Sequence, residues 1–179
     1  NPGVSYEYTR HNAGSWYVKS LASQKGLSFK SDKKLHGELA TLQINGLQCG
    51  LFMPSTYMNV SGDAVRAVLQ FYRIEPEEIL VVHDDLDLPA GAIRLKSGGG
   101  HAGHNGLRDI ISKLSSKSFQ RLRIGIGHPG HRNLVVDYVL GKPSANDKSL
   151  INSAILKAID VSSEIISGDF AKAMCDLHI

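Results

Sequence analysis

Ile79-Leu80-Val81-Val82-His83-Asp84-Asp85-Leu86-Asp87 is the stretch on which the fold turns. Pro76 breaks the chain ahead of it, and its opening apolar run reads as a strand buried on both faces. Upstream, Ala64, Val65, Val68, Leu69 and Tyr72 recur at helical spacing, with Ser61 or Asn59 placed to cap that helix. Downstream, Leu107, Ile110, Ile111 and Leu114 mark a second helix. Farther out, Trp16, Val18, Leu21 and Ala22 predict a helix from Ala13 to Lys25 that stops at Gly26. Strand-like runs at 35–44 and 47–53 flank Asn45-Gly46, a strong hairpin signal because both residues tolerate positive φ. A second hairpin-like unit turns at Leu88-Pro89-Ala90-Gly91 and returns along 92–96. Residues 122–126 read as a strand, and 147–177 as helical with a break near Gly168. Strands alternating with helices predict an α/β fold, a single-domain three-layer sandwich in which a mixed, mostly parallel, twisted sheet is flanked by helices.

Composition narrows the class. The chain of 179 residues is 42% hydrophobic and 21% charged, ordinary globular material for one core. Its apolar runs are far shorter than the ~20 residues that span a bilayer. The opening Asn1-Pro2-Gly3 has no basic-then-apolar run, so no signal peptide is expected. Cys49 and Cys175 lack metal-type spacing and suit a reducing cytosol rather than a disulfide framework. Net charge is only +3, but it is unevenly spread. Arg94, Lys96, Arg108, Lys113, Lys117, Arg121, Arg123 and Arg132 stand against one acid, Asp109. Such a segment is either a surface for a polyanion or a set of solvated faces.

Polar clusters fall at strand ends and in glycine-rich turns, where α/β folds place their sites. They are Asn1-Pro2-Gly3 with Thr9-Arg10-His11-Asn12-Ala13-Gly14, then residues 54–62, then His83 to Pro89 with Gly98 to Gly106. Singly each has an ordinary structural explanation: His11 caps or packs, Asp84 binds backbone amides, Asn59 caps a helix. Together, a histidine base, an orienting carboxylate and several asparagines are the parts of a water-activating hydrolase. The glycine run lacks the Gly-Lys-Ser/Thr ending of a phosphate loop and the context of a dinucleotide fingerprint. His83, Asp84, Asp85, Asp87, His101 and His104 lack the spacing of a zinc motif, so no metal is expected. There is no Gly-x-Ser-x-Gly elbow for an acyl-enzyme.

The motifs Asn1-Pro2-Gly3…Thr9-Arg10-His11-Asn12-Ala13-Gly14, Pro54-x-Thr56-Tyr57-Met58-Asn59-x-Ser61-Gly62, His83-Asp84-Asp85-Leu86-Asp87 and Gly98-Gly99-Gly100-His101-x-Gly103-His104-Asn105-Gly106-Leu107 resemble the bacterial-type peptidyl-tRNA hydrolases. Arg121-Leu122-Arg123-Ile124-Gly125-Ile126-Gly127-His128-Pro129 and Val139-Leu140-Gly141-Lys142-Pro143 match as well, so the likeness covers nearly the whole chain. It implies one domain over residues 1–179. Members of that family carry a short apolar strand immediately before Asn-Pro-Gly, so such a strand is expected upstream of Asn1.

The resemblance also implies roles. His11 would activate water and Asp84 would orient it. Asn1, Tyr6, Met58, Asn59, His104 and Asn105 would bind the peptide end of the substrate, and Lys96 and Arg123 a tRNA phosphate. The partner implied is the acceptor end of peptidyl-tRNA, handled by a cytoplasmic monomer with no cofactor and no membrane. Within the same fold family a plant organellar splicing factor offers the alternative of RNA binding without hydrolysis. A metal-dependent phosphohydrolase is a third reading.

Overall fold

In the computed structural model, residues 1–177 are described, and among them seven α-helices enclose two three-stranded sheets. The first sheet is antiparallel, built from β1 (Lys30–Asp32), β2 (Gly37–Ile44) and β3 (Leu47–Pro54) in that order. Asn45 (φ 50°) and Gly46 (φ 79°) turn β2 into β3 as their side chains allow. The second sheet holds β4 (Leu80–Asp85), β5 (Ile93–Ser97) and β6 (Gln120–Gly125) in the order β4-β6-β5.

The single-domain α/β class is found as expected, and the second sheet is mixed, but two details differ. Parallel pairing is confined to β4 with β6, and the other three pairs are antiparallel. The turn at 88–91 does form, with Ala92 N–H donating to Pro89 O at 3.0 Å. It does not pair β4 with β5, because β6 lies between them. The reason is burial. Leu122 and Ile124 are wholly buried, and a strand whose apolar residues are fully enclosed is best placed centrally, paired on both sides.

β4 carries apolar contacts to both faces. Leu80 and Val82 pack on the main core with α1 (Ala13–Gln24) and α5 (Ala145–Asp160), whose Tyr17, Leu21, Ile151 and Ile155 are buried there. Ile79 and Val81 meet a second cluster of Leu107, Ile110 and Phe119 under α3 (Asn105–Leu114), beside Val65 of α2 (Ser61–Tyr72). Leu80, Val81 and Val82 are nevertheless only partly buried. Among the described residues β4 pairs on one side only, as does β3, and residues of both strands line one cavity of about 910 Å³.

Neither Ser61 nor Asn59 caps α2. A 3-10 turn over Met58–Val60 runs straight into the helix, and Ser61 donates its hydroxyl to Met58 O at 2.9 Å. The tail is three helices, α5, α6 (Ser162–Ile166) and α7 (Phe170–Leu177), with Gly168 (φ 81°) at the last break. The short helix α4 (Val135–Leu140) precedes them. Among the described residues, no helix is long and apolar enough to cross a membrane.

Candidate active site

His11 lies in a single 3-10 turn, Arg10–Asn12, that leads directly into α1. Gly14 lets this end of α1 come down on β4, since a Cβ there would run into the Val82 carbonyl. The approach brings His11 to Asp84 at the end of β4, with Nδ1 at 2.9 Å from Oδ1 and 3.0 Å from Oδ2. Behind the turn, Arg10 is spent on the scaffold. Its Nη1 donates to the carbonyls of Tyr138, Gly141 and Lys142 at 3.0, 3.3 and 3.1 Å.

Asp84 has a second partner. His104 caps α3, its Nδ1 accepting from Leu107 N–H at 3.2 Å, which leaves the ring proton on Nε2. That Nε2 lies 2.9 Å from Asp84 Oδ1 and donates to it. Burial opposes ionisation of Asp84, yet the charge and hydrogen bonds of His104 and His11 outweigh it and hold the carboxyl well below the usual carboxylate range. An ionised carboxylate only accepts, so His11 donates from Nδ1 and keeps the lone pair on Nε2. An oriented imidazole with that lone pair has the chemistry of a general base.

His11, Asp84 and His104 are also the described residues able to converge on a metal ion, their ligand atoms lying within 4.8 Å of one another. The geometry fits hydrogen bonding better. Both ring nitrogens aim at Asp84 oxygens at 2.9 Å, and a metal would have to replace the protons between them.

The expected binding residues are unevenly placed relative to this trio. Asn1 Oδ1 accepts from Met58 N–H at 2.8 Å, and Asn1, Met58 and His104 line the cavity that His11 and Asp84 also line. Tyr6, half-buried, sits edge-on to Tyr57 with ring centroids 6.3 Å apart. Asn59 and Asn105 are exposed, one in the 58–60 turn and the other opening α3. Asn105 Oδ1 accepts from Arg108 Nη1 at 3.0 Å. These three are not among the residues lining the cavity.

The basic segment proves heterogeneous. Strand register places Arg94, Lys96, Arg121 and Arg123 on one face of the second sheet, with Lys96 opposite Arg121 and Arg94 opposite Arg123. Lys96 is exposed, whereas Arg123 donates from Nε to Asp85 at 2.7 Å and Arg121 is buried.

A family model described as Peptidyl-tRNA hydrolase matches residues 1–178. The chain belongs to the peptidyl-tRNA hydrolase family. The peptidyl-tRNA hydrolase of Legionella pneumophila (strain Lens) is 55% identical over 174 residues, 97% of this chain and 92% of that protein. That of Neisseria gonorrhoeae (strain NCCP11945) is 53% identical over 178 residues, covering 99% and 93%. A crystal structure of peptidyl-tRNA hydrolase from Acinetobacter baumannii superposes with a TM-score of 0.95 at 47% identity, covering 99% of this chain and 90% of that one.

Two polar residues of this peptidyl-tRNA hydrolase family member, Asn12 and His83, were given no role in the site by its motifs. Asn12, adjacent to His11, is buried and donates from Nδ2 to Asn1 O at 2.9 Å, tying the first motif together. His83, adjacent to Asp84, is buried with its Nδ1 at 2.7 Å from Asp84 O and its ring edge-on to His104, 5.2 Å between centroids. The signal for both was position inside a motif, but nothing in a linear sequence distinguishes a buried neighbour from an exposed one.

His83 makes the fold acid-sensitive. Burial, reinforced by the neighbouring His104, lowers its pKa to about 4. In the unfolded chain it protonates near ~6.5. Between those values the unfolded state binds the extra proton, so stability falls as pH drops through the window. The expected loss is on the order of 3 kcal/mol once pH is below both values. Urea unfolding of His83→Phe and of the parent chain checks this, and identical pH profiles from ~6.5 to 4 would refute it.

Proposed function

We propose that this chain hydrolyses the ester that joins a peptide to tRNA, releasing free tRNA and the peptide. The observation that carries the mechanism is the buried Asp84–His11 pair, which engages Nδ1 and leaves Nε2 as the base of a histidine that lines the cavity. In this reading Nε2 takes a proton from water as the water oxygen adds to the ester carbonyl. The proton then passes to the departing ribose oxygen as the carbon–oxygen bond breaks. Asn1, Asn59 and Asn105 supply neutral amides that donate to the acyl carbonyl and read the peptide amide without burying a charge. Tyr6 and Met58 serve as walls of the peptide cleft, and His104 joins them at the edge of Asp84. Selection of acylated over free aminoacyl groups follows from the same amides, because a free ammonium meets donors it cannot satisfy. We place the protein in the cytoplasm as a monomer, in keeping with its free thiols Cys49 and Cys175.

Incubation with N-acyl-aminoacyl-tRNA and with free aminoacyl-tRNA tests the reading. Ester loss is expected in the first only, and unchanged after exhaustive chelation. Tight tRNA binding without ester loss would favour RNA binding alone. Activity abolished by chelator and restored by zinc or manganese would place a metal among His11, Asp84 and His104.

Lys96 and Arg123 are proposed to hold a tRNA phosphate. Replacing both by alanine is expected to raise KM strongly for full tRNA substrates, with little effect on a minimal ester lacking the phosphate. The salt dependence of binding should flatten by about one unit of slope per lost contact. A merely solvated face predicts no change in either. Arg123 also neutralises Asp85, so Arg123→Lys, which keeps the charge, is the control for disturbance of the sheet.

A further inference from the structure

Arg121 stands in the middle of the basic face, yet it is 3% exposed where Lys96 opposite it is open to solvent. Its Nη1 donates to Gly100 O at 2.6 Å and its Nη2 to Gly99 O, with the guanidinium carbon 4.9 Å from the centroid of the buried Phe119 ring. The loop it grips is bound again at its start, where Gly98 N–H donates to Phe119 O at 3.0 Å. Gly98, Gly99, Ala102 and Gly103 all hold positive φ, at 62°, 102°, 46° and 82°. For Ala102 that conformation costs roughly 1–2 kcal/mol, so the loop needs external support. Support matters because of where the loop leads. His104 N–H donates to His101 O at 2.8 Å, and His104 then caps α3 with Nδ1 and gives its Nε2 proton to Asp84.

We propose that Arg121 is a positioning residue: by clamping the carbonyls of Gly99 and Gly100 it sets where His104 meets Asp84. The inference rests on the hydrolase reading above. The planar fork of a guanidinium suits two successive carbonyls, and an ammonium, a point charge on a flexible stem, does not. A role as phosphate ligand is poorly served, since both Nη groups are committed and the side chain is shielded.

Arg121→Lys and Arg121→Ala in the full chain test the clamp, with Lys96→Ala as the phosphate-site reference. Misplacing His104 is expected to lower kcat ~10-fold or more on full tRNA and on the minimal ester alike. KM and the salt slope stay as in the parent chain, and backbone amides of 98–104 exchange faster. Ethylguanidinium added to Arg121→Ala restores part of the lost kcat, which also rules out simple unfolding. Parental kcat and parental loop exchange in Arg121→Lys would overturn the proposal. So would a salt slope reduced by about one unit with kcat intact, which would make Arg121 a phosphate contact. The exchange measurement needs no catalysis, so it reports on the clamp even if the parent chain proves inactive on the ester.

Discussion

His11→Ala lowers turnover of N-acyl-aminoacyl-tRNA at least ~100-fold while leaving tRNA binding nearly intact. The expectation follows from how the imidazole is held. Nδ1 is committed to Asp84 at 2.9 Å, so Nε2 is the one ring atom left to take a proton. Alanine removes that acceptor, and the other side chain aimed at Asp84, His104, cannot replace it. Its Nδ1 accepts from the α3 backbone and its Nε2 proton is directed at the carboxylate. Binding should survive because Lys96 and Arg123 lie on a different face, on β5 and β6. Some stability is lost, about 1–3 kcal/mol, since Asp84 keeps its charge with one partner fewer. Parallel measurement of single-turnover ester loss and of tRNA affinity decides the matter. Near-normal turnover would remove His11 from the chemistry, and equal losses of turnover and affinity would point to a collapsed site.

Asp84→Asn is expected to cost turnover ~10² or more, although it changes a single atom. The carboxylate accepts from two histidines at once, His11 Nδ1 and His104 Nε2. Both rings converge on Oδ1 and His11 Nδ1 is also 3.0 Å from Oδ2, so a carboxamide turned either way sets its NH2 against the His11 N–H, and with NH2 at Oδ1 against both rings. If His11 yields, its proton moves to Nε2 and the base is lost. If His104 yields, its cap on α3 breaks. The negative charge that would steady a protonated His11 disappears in either case. The same substitution alters the acid limb of stability. The folded carboxyl sits well below its ordinary range, so the unfolded chain binds the proton first as pH falls below ~4. Asp84 therefore contributes stability above that point and loses it as pH drops further. Urea midpoints for Asp84→Asn should be lower near neutrality and less pH-dependent in acid. A variant with parental turnover would mean that Asp84 is a structural acceptor and not an orienter.

Much of this protein is legible in its residues. The period of Trp16, Leu21 and Ala22, the Asn45-Gly46 turn and the apolar run before His83 lead to α1, the first hairpin and β4, because each reflects contacts local in the chain. The motif order likewise identifies the family, which the full-length match bears out. Strand direction was less accessible. The turn at 88–91 has hairpin chemistry and does turn, but whether its arms pair depends on a later strand, β6, whose Leu122 and Ile124 are wholly buried and which takes the centre.

The site divides along the same line. Residue types alone supplied a base, a carboxylate and amides, since those chemistries belong to side chains wherever they sit. Which of them meet was a tertiary decision. His11 and Asp84 are 73 positions apart, and Asp84 and His104 are 20, with contacts set by the seating of Gly14 on Val82 and by the start of α3. Burial decided the basic segment in the same way: Lys96 and Arg121 are alike in charge and directly opposed, yet one is exposed while the other is enclosed and bonded to loop carbonyls. Charge is written in the chain; desolvation, which determines what a charge can do, exists only after packing.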